Sequence, residues 1–196
     1  ASGNIEAENL GINDYPHYLE TYVVTENTGS GENTLRWAIQ QSNDSPDVDD
    51  IIVFDLASGN TVILDIELPF ITDQVQIGNV GGTHTIIERS SSAETFEIMV
   101  INANGETITL DNLTLTGGVA PSRGGGINLL AGALNINNSF ITGNSAVQDG
   151  GGLAISGDCI VNINNTTISE NHSDFPGGGI AILAGTLTIN NSKISG

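Results

Sequence analysis

GGGINLLAGALNINNSFITGN, residues 124–144, is the stretch whose reading decides the fold. Ile127 and Leu129, and then Leu134 and Ile136, stand at alternate positions, the period of a strand with one buried face. Carried two residues further, the alternation puts Asn138 on the inward side, where a core residue is expected.

The arrangement recurs in GGGLAISGDCIVNINNTTISENHSDFP (150–176) and GGGIAILAGTLTINNSKISG (177–196), and in degenerate form in GETITLDNLTLTGG (105–118). Set in register, these copies place Asn112, Asn138, Asn165 and Asn191 at equivalent positions, spaced 26, 27 and 26 residues apart. Two apolar residues precede each asparagine at alternate positions, and another follows three residues later: Leu115, Ile141, Ile168 and Ile194. QVQIGN (74–79) extends the column to Asn79. A unit this short, with no helical segment, has one thin row of apolar side chains and cannot fold alone. Stacking copies at the roughly 4.8 Å spacing of paired strands merges the rows into one core. The fold is therefore read as all-β, a parallel β-helix. Helix-containing repeats such as leucine-rich and ankyrin units do not fit. In such a stack the four asparagines are expected to form a ladder, each buried amide bonding to the next. The NNS and NNT triplets also match the N-glycan acceptor pattern at Asn137, Asn164, Asn165 and Asn190, but the ladder accounts for the doublets without it.

Upstream the character changes. NTLRWAIQQSN (33–43) carries Leu35, Ala38 and Ile39 at helical spacing, with Asn33 as N-cap, and predicts one short helix over 34–42. DIIVFDL and NTVILDIEL read as strands after it. The first coil of a solenoid exposes an apolar cross-section, so the helix is expected to cover it, with Trp37 packing and Arg36 at the surface. Three segments follow: a polar stretch over 1–20, a cap with the first coils over 21–100, and regular repeats of 26–27 residues over 101–196. The last repeat has no closing element, so the solenoid is expected to continue beyond Gly196, and the isolated chain to associate end to end.

Composition restricts function. Four basic residues (Arg36, Arg89, Arg123, Lys193) face 23 acidic ones, a net charge of −19 that repels a phosphate backbone. No apolar run approaches the roughly 18 residues of a membrane-spanning helix, so no membrane insertion by this segment is expected. The single cysteine, Cys159, allows no intrachain disulfide and reads as a small inward hydrophobe.

VVTENTGSGENTLRWAIQQSNDSPDVDDIIVFDL, followed by LPFITDQVQI, resembles the N-terminal module of large secreted bacterial right-handed β-helix proteins, with their G-S-L-R-x-A-I…A-N…D-x-I-x-F pattern. GGGI and ITGN resemble the GGA(I/L/V) and FxxN repeats of polymorphic outer-membrane proteins. The resemblance implies a right-handed coil, an extracellular or cell-surface location and an adhesin-like role. It implies no catalytic residues.

The leading functional reading is a secreted or cell-surface structural and adhesive module, non-catalytic, with a glycan or other cell-surface ligand as partner. The alternative is a carbohydrate-active enzyme, a polysaccharide lyase or glycoside hydrolase, or a glycan-binding domain on the pectate-lyase-like fold. A lyase needs a cationic base, and Arg123 is the only basic residue near the repeat loops. A hydrolase needs two carboxylates about 5–9.5 Å apart. Its only candidates are Asp149, Glu170, His172 and Asp174, in the equivalent loops NSAVQD and NHSDFP. For metal, the acidic loop DVDD offers Asp47, Asp49 and Asp50 to Ca2+, although the calcium nonapeptide and the EF-hand spacing are both absent. No other cofactor is implied, and the three histidines make no zinc pattern.

Overall fold

The computed structural model describes residues 19–45, 49–57, 59–79 and 81–196. All but the last two residues of the segment read over 1–20 lie outside them, as does the calcium candidate Asp47. The chain winds into a parallel β-solenoid of about six turns with a single short helix among the described residues. One sheet runs through Thr21–Val24, Asp50–Phe54, Val75–Ile77, Met99–Asp111, Ile127–Asn137, Leu153–Ile155 and Ile180–Ile182, widened by Ile160–Asn164 and Thr186–Asn190. A second stacks Thr61–Leu64, Thr85–Arg89, Leu113–Thr116, Phe140–Thr142, Thr167–Ser169 and Lys193–Ser195. A third, smaller sheet stacks Val119–Ala120, Ser145–Ala146 and His172–Ser173.

Strand register turns the sequence repeat into columns. Ile52, Ile77, Leu110, Ile136, Ile163 and Ile189 align across successive coils of the first sheet. Val62, Ile87, Leu115, Ile141, Ile168 and Ile194 align across the second. Each is buried except in the last coil, where Ile189 and Ile194 are 42% and 44% exposed because no further coil lies over them among the described residues. The same register puts Asn79 in the column of Asn112, Asn138, Asn165 and Asn191. Its side chain bonds both the N–H and the carbonyl of Phe54 at 2.9 Å, extending the backbone ladder by one rung.

The inward placement expected for the asparagines is corrected by the backbone. Asn112, Asn138, Asn165 and Asn191 adopt left-handed conformations, with φ of +55°, +50°, +49° and +48°. Asparagine tolerates this region better than most residues. A left-handed residue turns the chain through a corner and breaks the alternation, so Asn138 and Asn165 face solvent. The inward position passes to the next residue. Ser139 and Thr166 are buried, and their hydroxyls bond the corner carbonyls of Asn137 (2.6 Å) and Asn164 (2.9 Å). Each hydroxyl also accepts from the preceding coil: Leu113 N–H to Ser139 Oγ at 3.1 Å, and Ser139 N–H to Thr166 Oγ1 at 3.2 Å.

The buried asparagine stack sits one corner later, at Asn144 and Asn171. Asn144 Oδ1 accepts from Gly118 N–H at 2.9 Å, and its amide donates to Leu115 O at 3.0 Å. Asn171 Oδ1 accepts from Asn144 N–H at 3.0 Å, and its amide donates to Ile141 O at 2.8 Å. Every side-chain polar atom of this pair is satisfied by an adjacent coil, as burial demands. The glycine triplets follow. The middle glycines leave no room for a side chain: a methyl group at Gly125 would collide with the carbonyls of Ser145 and Gly151, and one at Gly151 with those of His172 and Gly178.

The helix spans Leu35–Asn43 and packs Leu35, Ala38 and Ile39 into the core against the first strands. Its N-cap is Thr34, whose hydroxyl accepts from Trp37 N–H at 3.3 Å and donates to Gly31 O at 2.7 Å. The N-cap expected at Asn33 is thus displaced by one residue, because Asn33 takes the left-handed turn (φ +59°) that leads into the helix. Trp37 meets Tyr22 edge to face at 5.9 Å, and Arg36 Nε donates to Gly29 O at 3.1 Å.

Candidate functional site

Strand register lines one face of the solenoid chiefly with amide and hydroxyl side chains. On the outer side of the first sheet, Thr109, Asn135, Asn162 and Thr188 form one column, and Asp111, Asn137, Asn164 and Asn190 form the next. Their amides link coil to coil: Asn162 to Asn135 at 3.0 Å, Asn164 to Asn137 at 3.0 Å and Asn190 to Asn164 at 3.1 Å. At the corner beside them Asn165 donates to Asn138 Oδ1 at 3.4 Å, Asn138 donates to Asp111 Oδ1 at 3.2 Å, and Asn112 donates to Asn79 O at 2.7 Å. An amide held by a neighbour on each side still has donor and acceptor capacity directed outward.

A groove of about 300 Å3 borders this face, lined by Asn104, Gly105, Glu106, Gly132, Ala133, Asp158 and Ile160. It forms where the long strand Met99–Asp111 bulges between Asn102 and Thr107 against its neighbour. Ile160, in the same outward column as Ala133 and Thr186, is exposed there. The groove thus sets the apolar Ala133 and Ile160 beside the carboxylates of Glu106 and Asp158 and the amide of Asn104. Periodicity hides it, because a bulge is an interruption of the repeat.

The acidic candidates lie elsewhere. Asp149 is held by Arg123 at 3.2 Å. His172 and Asp174 approach each other at 3.4 Å on the surface. Glu170 is exposed and occupies a left-handed corner, φ +56°, a position taken by glycine at Gly143 and Gly117 in the preceding coils. Another acid pair escapes a repeat-based reading. Glu97 has its carboxyl pushed up by burial and further by the charge of Glu67, while its own backbone N–H and Asn128 oppose the shift. These two residues lie in the irregular early coils, where no repeat marks them.

Of the calcium candidates, Asp49 bonds Gln74 and is exposed, whereas Asp50 is buried at the start of its strand with Ser45 Oγ donating to Oδ2 at 2.9 Å. Burial is the main cause that holds the Asp50 carboxyl above the usual range. Tyr22, which bonds Glu20 beside it, is pushed up to about 12, first by burial and then by that hydrogen bond. The described residues contain no group of three or more His, Cys, Asp or Glu placed to hold a metal ion. Cys159 is buried, and burial pushes its thiol up. Of the basic residues, Arg89 is spent on carbonyls, donating to Gly117 O at 2.7 Å, Ser90 O at 2.9 Å and Ala93 O at 3.0 Å, and it lies over Phe96. No described helix is long and apolar enough to cross a membrane.

No family model, no curated protein and no solved structure matches the chain.

Proposed function

We propose that this chain is a structural module of an exported, cell-surface β-helix protein, and that it binds neutral glycans along the amide face without turning them over. The observation that carries this reading is the pair of outward Asn/Thr columns beside the Ile160 groove. Sugar hydroxyls pair with amides through one donor and one acceptor, and a stack of identical coils repeats that pairing at each strand spacing. The net charge of −19 disfavours polyuronates and other anionic polymers. Export is supported by the resemblance of VVTENTGSGENTLRWAIQQSNDSPDVDDIIVFDL and LPFITDQVQI to the N-terminal modules of secreted β-helix proteins. The non-catalytic part is supported by the separate engagements of Asp149, with Arg123, and of Asp174, with His172.

The test is retention on immobilised neutral and acidic polysaccharides, comparing the natural chain with Asn135→Ala/Asn162→Ala. Retention on a neutral glycan that is lost in the double variant supports the reading. No retention on any neutral glycan, or retention unaffected by the substitutions, rejects it. The same incubations report activity: no new reducing ends and no unsaturated-sugar absorbance are expected. Turnover that disappears in Asp149→Asn or Asp174→Asn would put the enzyme in place of the binding module.

A further inference from the structure

Where the helix ends against the first coils, three side-chain oxygens are buried without a partner among the described residues: Asp50 Oδ1, Asp73 Oδ2 and Ser42 Oγ. The residues are 2%, 9% and 1% exposed. The two carboxylates share a pattern. Each has one oxygen satisfied, Asp50 Oδ2 by Ser45 Oγ at 2.9 Å and Asp73 Oδ1 by Gln74 N–H at 2.8 Å, and each leaves the other bare. Sheet register explains why they converge: Asp50 pairs with Val75, so Asp73 lies diagonally across the strand pair on the same inward face. Asn43, the last helical residue, draws the segment before Asp73 onto the helix end, donating to Phe70 O at 2.7 Å and accepting from Thr72 N–H at 3.0 Å. Ser42 approaches Asp50 from the last helical turn closely enough to oppose the rise of its carboxyl, without reaching hydrogen-bond geometry.

A bare buried oxygen is destabilising, more so when charged, and two neighbouring carboxylates repel each other besides. The surroundings favour a positive charge. The helix C-terminus brings the negative end of its dipole, and no basic residue stands in its last turn. A groove of about 250 Å3, lined in part by Asp49, Asp50 and Gln74, opens beside Asp50.

We propose that Asp50, Asp73 and Ser42 form a binding site for a hard divalent cation, calcium in preference to magnesium, that clamps the helix to the first coils. Hard cations take carboxylate, hydroxyl and water oxygens together. Calcium accepts the irregular set seen here, whereas magnesium demands a near-ideal octahedron. The site is separate from the amide face and stands or falls independently of glycan binding.

The chain carries its own reporter. Tyr22, whose hydroxyl lies 3.4 Å from Ser45 Oγ, stands beside the cluster with Trp37, the sole tryptophan, against it at 5.9 Å, and a terbium(III) ion bound there would be sensitised by them. The full 196-residue chain is stripped with chelator and titrated with terbium(III), then back-titrated with calcium or magnesium. The proposal expects saturable emission at one equivalent per chain, displaced by calcium more readily than by magnesium and abolished in Asp73→Asn. Ser42→Ala, a smaller perturbation, should retain the β circular-dichroism spectrum and weaken terbium binding by about tenfold. Asp149→Asn should titrate as the natural chain does. Absent or non-saturable emission from the natural chain, or emission unchanged in Ser42→Ala and Asp73→Asn, overturns the proposal. If Asp73→Asn fails to fold, Ser42→Ala decides.

Discussion

At the scale of single residues, two kinds of asparagine recur in the same coils and do opposite work. Asn138 and Asn165 supply a left-handed corner and face water, whereas Asn144 and Asn171 are buried and bond the preceding coil, Asn144 the following one as well. Asn171→Leu would leave Asn144 N–H and Ile141 O without partners, and a loss of about 2–4 kcal/mol is expected in urea unfolding. Asn165→Gly keeps the corner conformation and removes only an exposed 3.4 Å contact, so a change within about 0.5 kcal/mol is expected. Equal unfolding midpoints for the two variants would contradict this division of roles.

At the scale of elements, the helix is the one helical piece among the described residues, and it packs onto the first strands. Leu35, Ala38 and Ile39 are fully buried in the common core, while Thr34 caps the N-terminus and Asn43 fastens the C-terminus to residues 70–72. Packing outweighs capping here. Ile39→Ala is expected to cost about 2–4 kcal/mol, against about 1 kcal/mol for Thr34→Ala. Hydrogen exchange should show the loss of Ile39 deprotecting Thr21–Val24 and Asp50–Phe54 ahead of the later strands, because each coil is supported chiefly by its neighbours. Uniform deprotection along the solenoid would mean that the helix is not a local cap.

At the scale of the whole molecule, charge governs stability. Burial raises the folded-state carboxyls of both Asp50 and Glu97 above their ordinary values of 3.8 and 4.5. Between those ordinary values and the raised ones the folded chain binds more protons than the unfolded chain. Stability therefore falls as pH rises through that window and stays reduced above it. Repulsion within a net charge of −19 acts in the same direction. In chelator, the melting temperature should rise as pH is lowered from neutral toward the carboxylate range. Asp50→Asn with Glu97→Gln should flatten that slope, and added salt should remove the remainder. A melting temperature that falls steadily over this interval would show that favourable carboxylate pairs dominate instead.

Periodicity by itself determined the solenoid, the coil length and the apolar columns, because alternation and a 26–27-residue repeat are local properties that stacking reproduces in every coil. It also located the helix to within a residue at each end, from Leu35, Ala38 and Ile39 alone. The tertiary structure decided what lies inward at the corners. A single left-handed asparagine reverses the alternation, and nothing in NINNS says whether the amide or the following hydroxyl enters the core until the neighbouring coil supplies partners. The candidate sites were less legible still. The Ile160 groove arises from a bulge in the long strand, and Asp50 nears Asp73 only because two strands 25 residues apart pair in one register and Asn43 pins the helix end across them. Burial and the proximity of like charges are properties of the packed coil, set by residues distant in sequence. A motif of neighbouring residues such as DVDD carries only half of such a site.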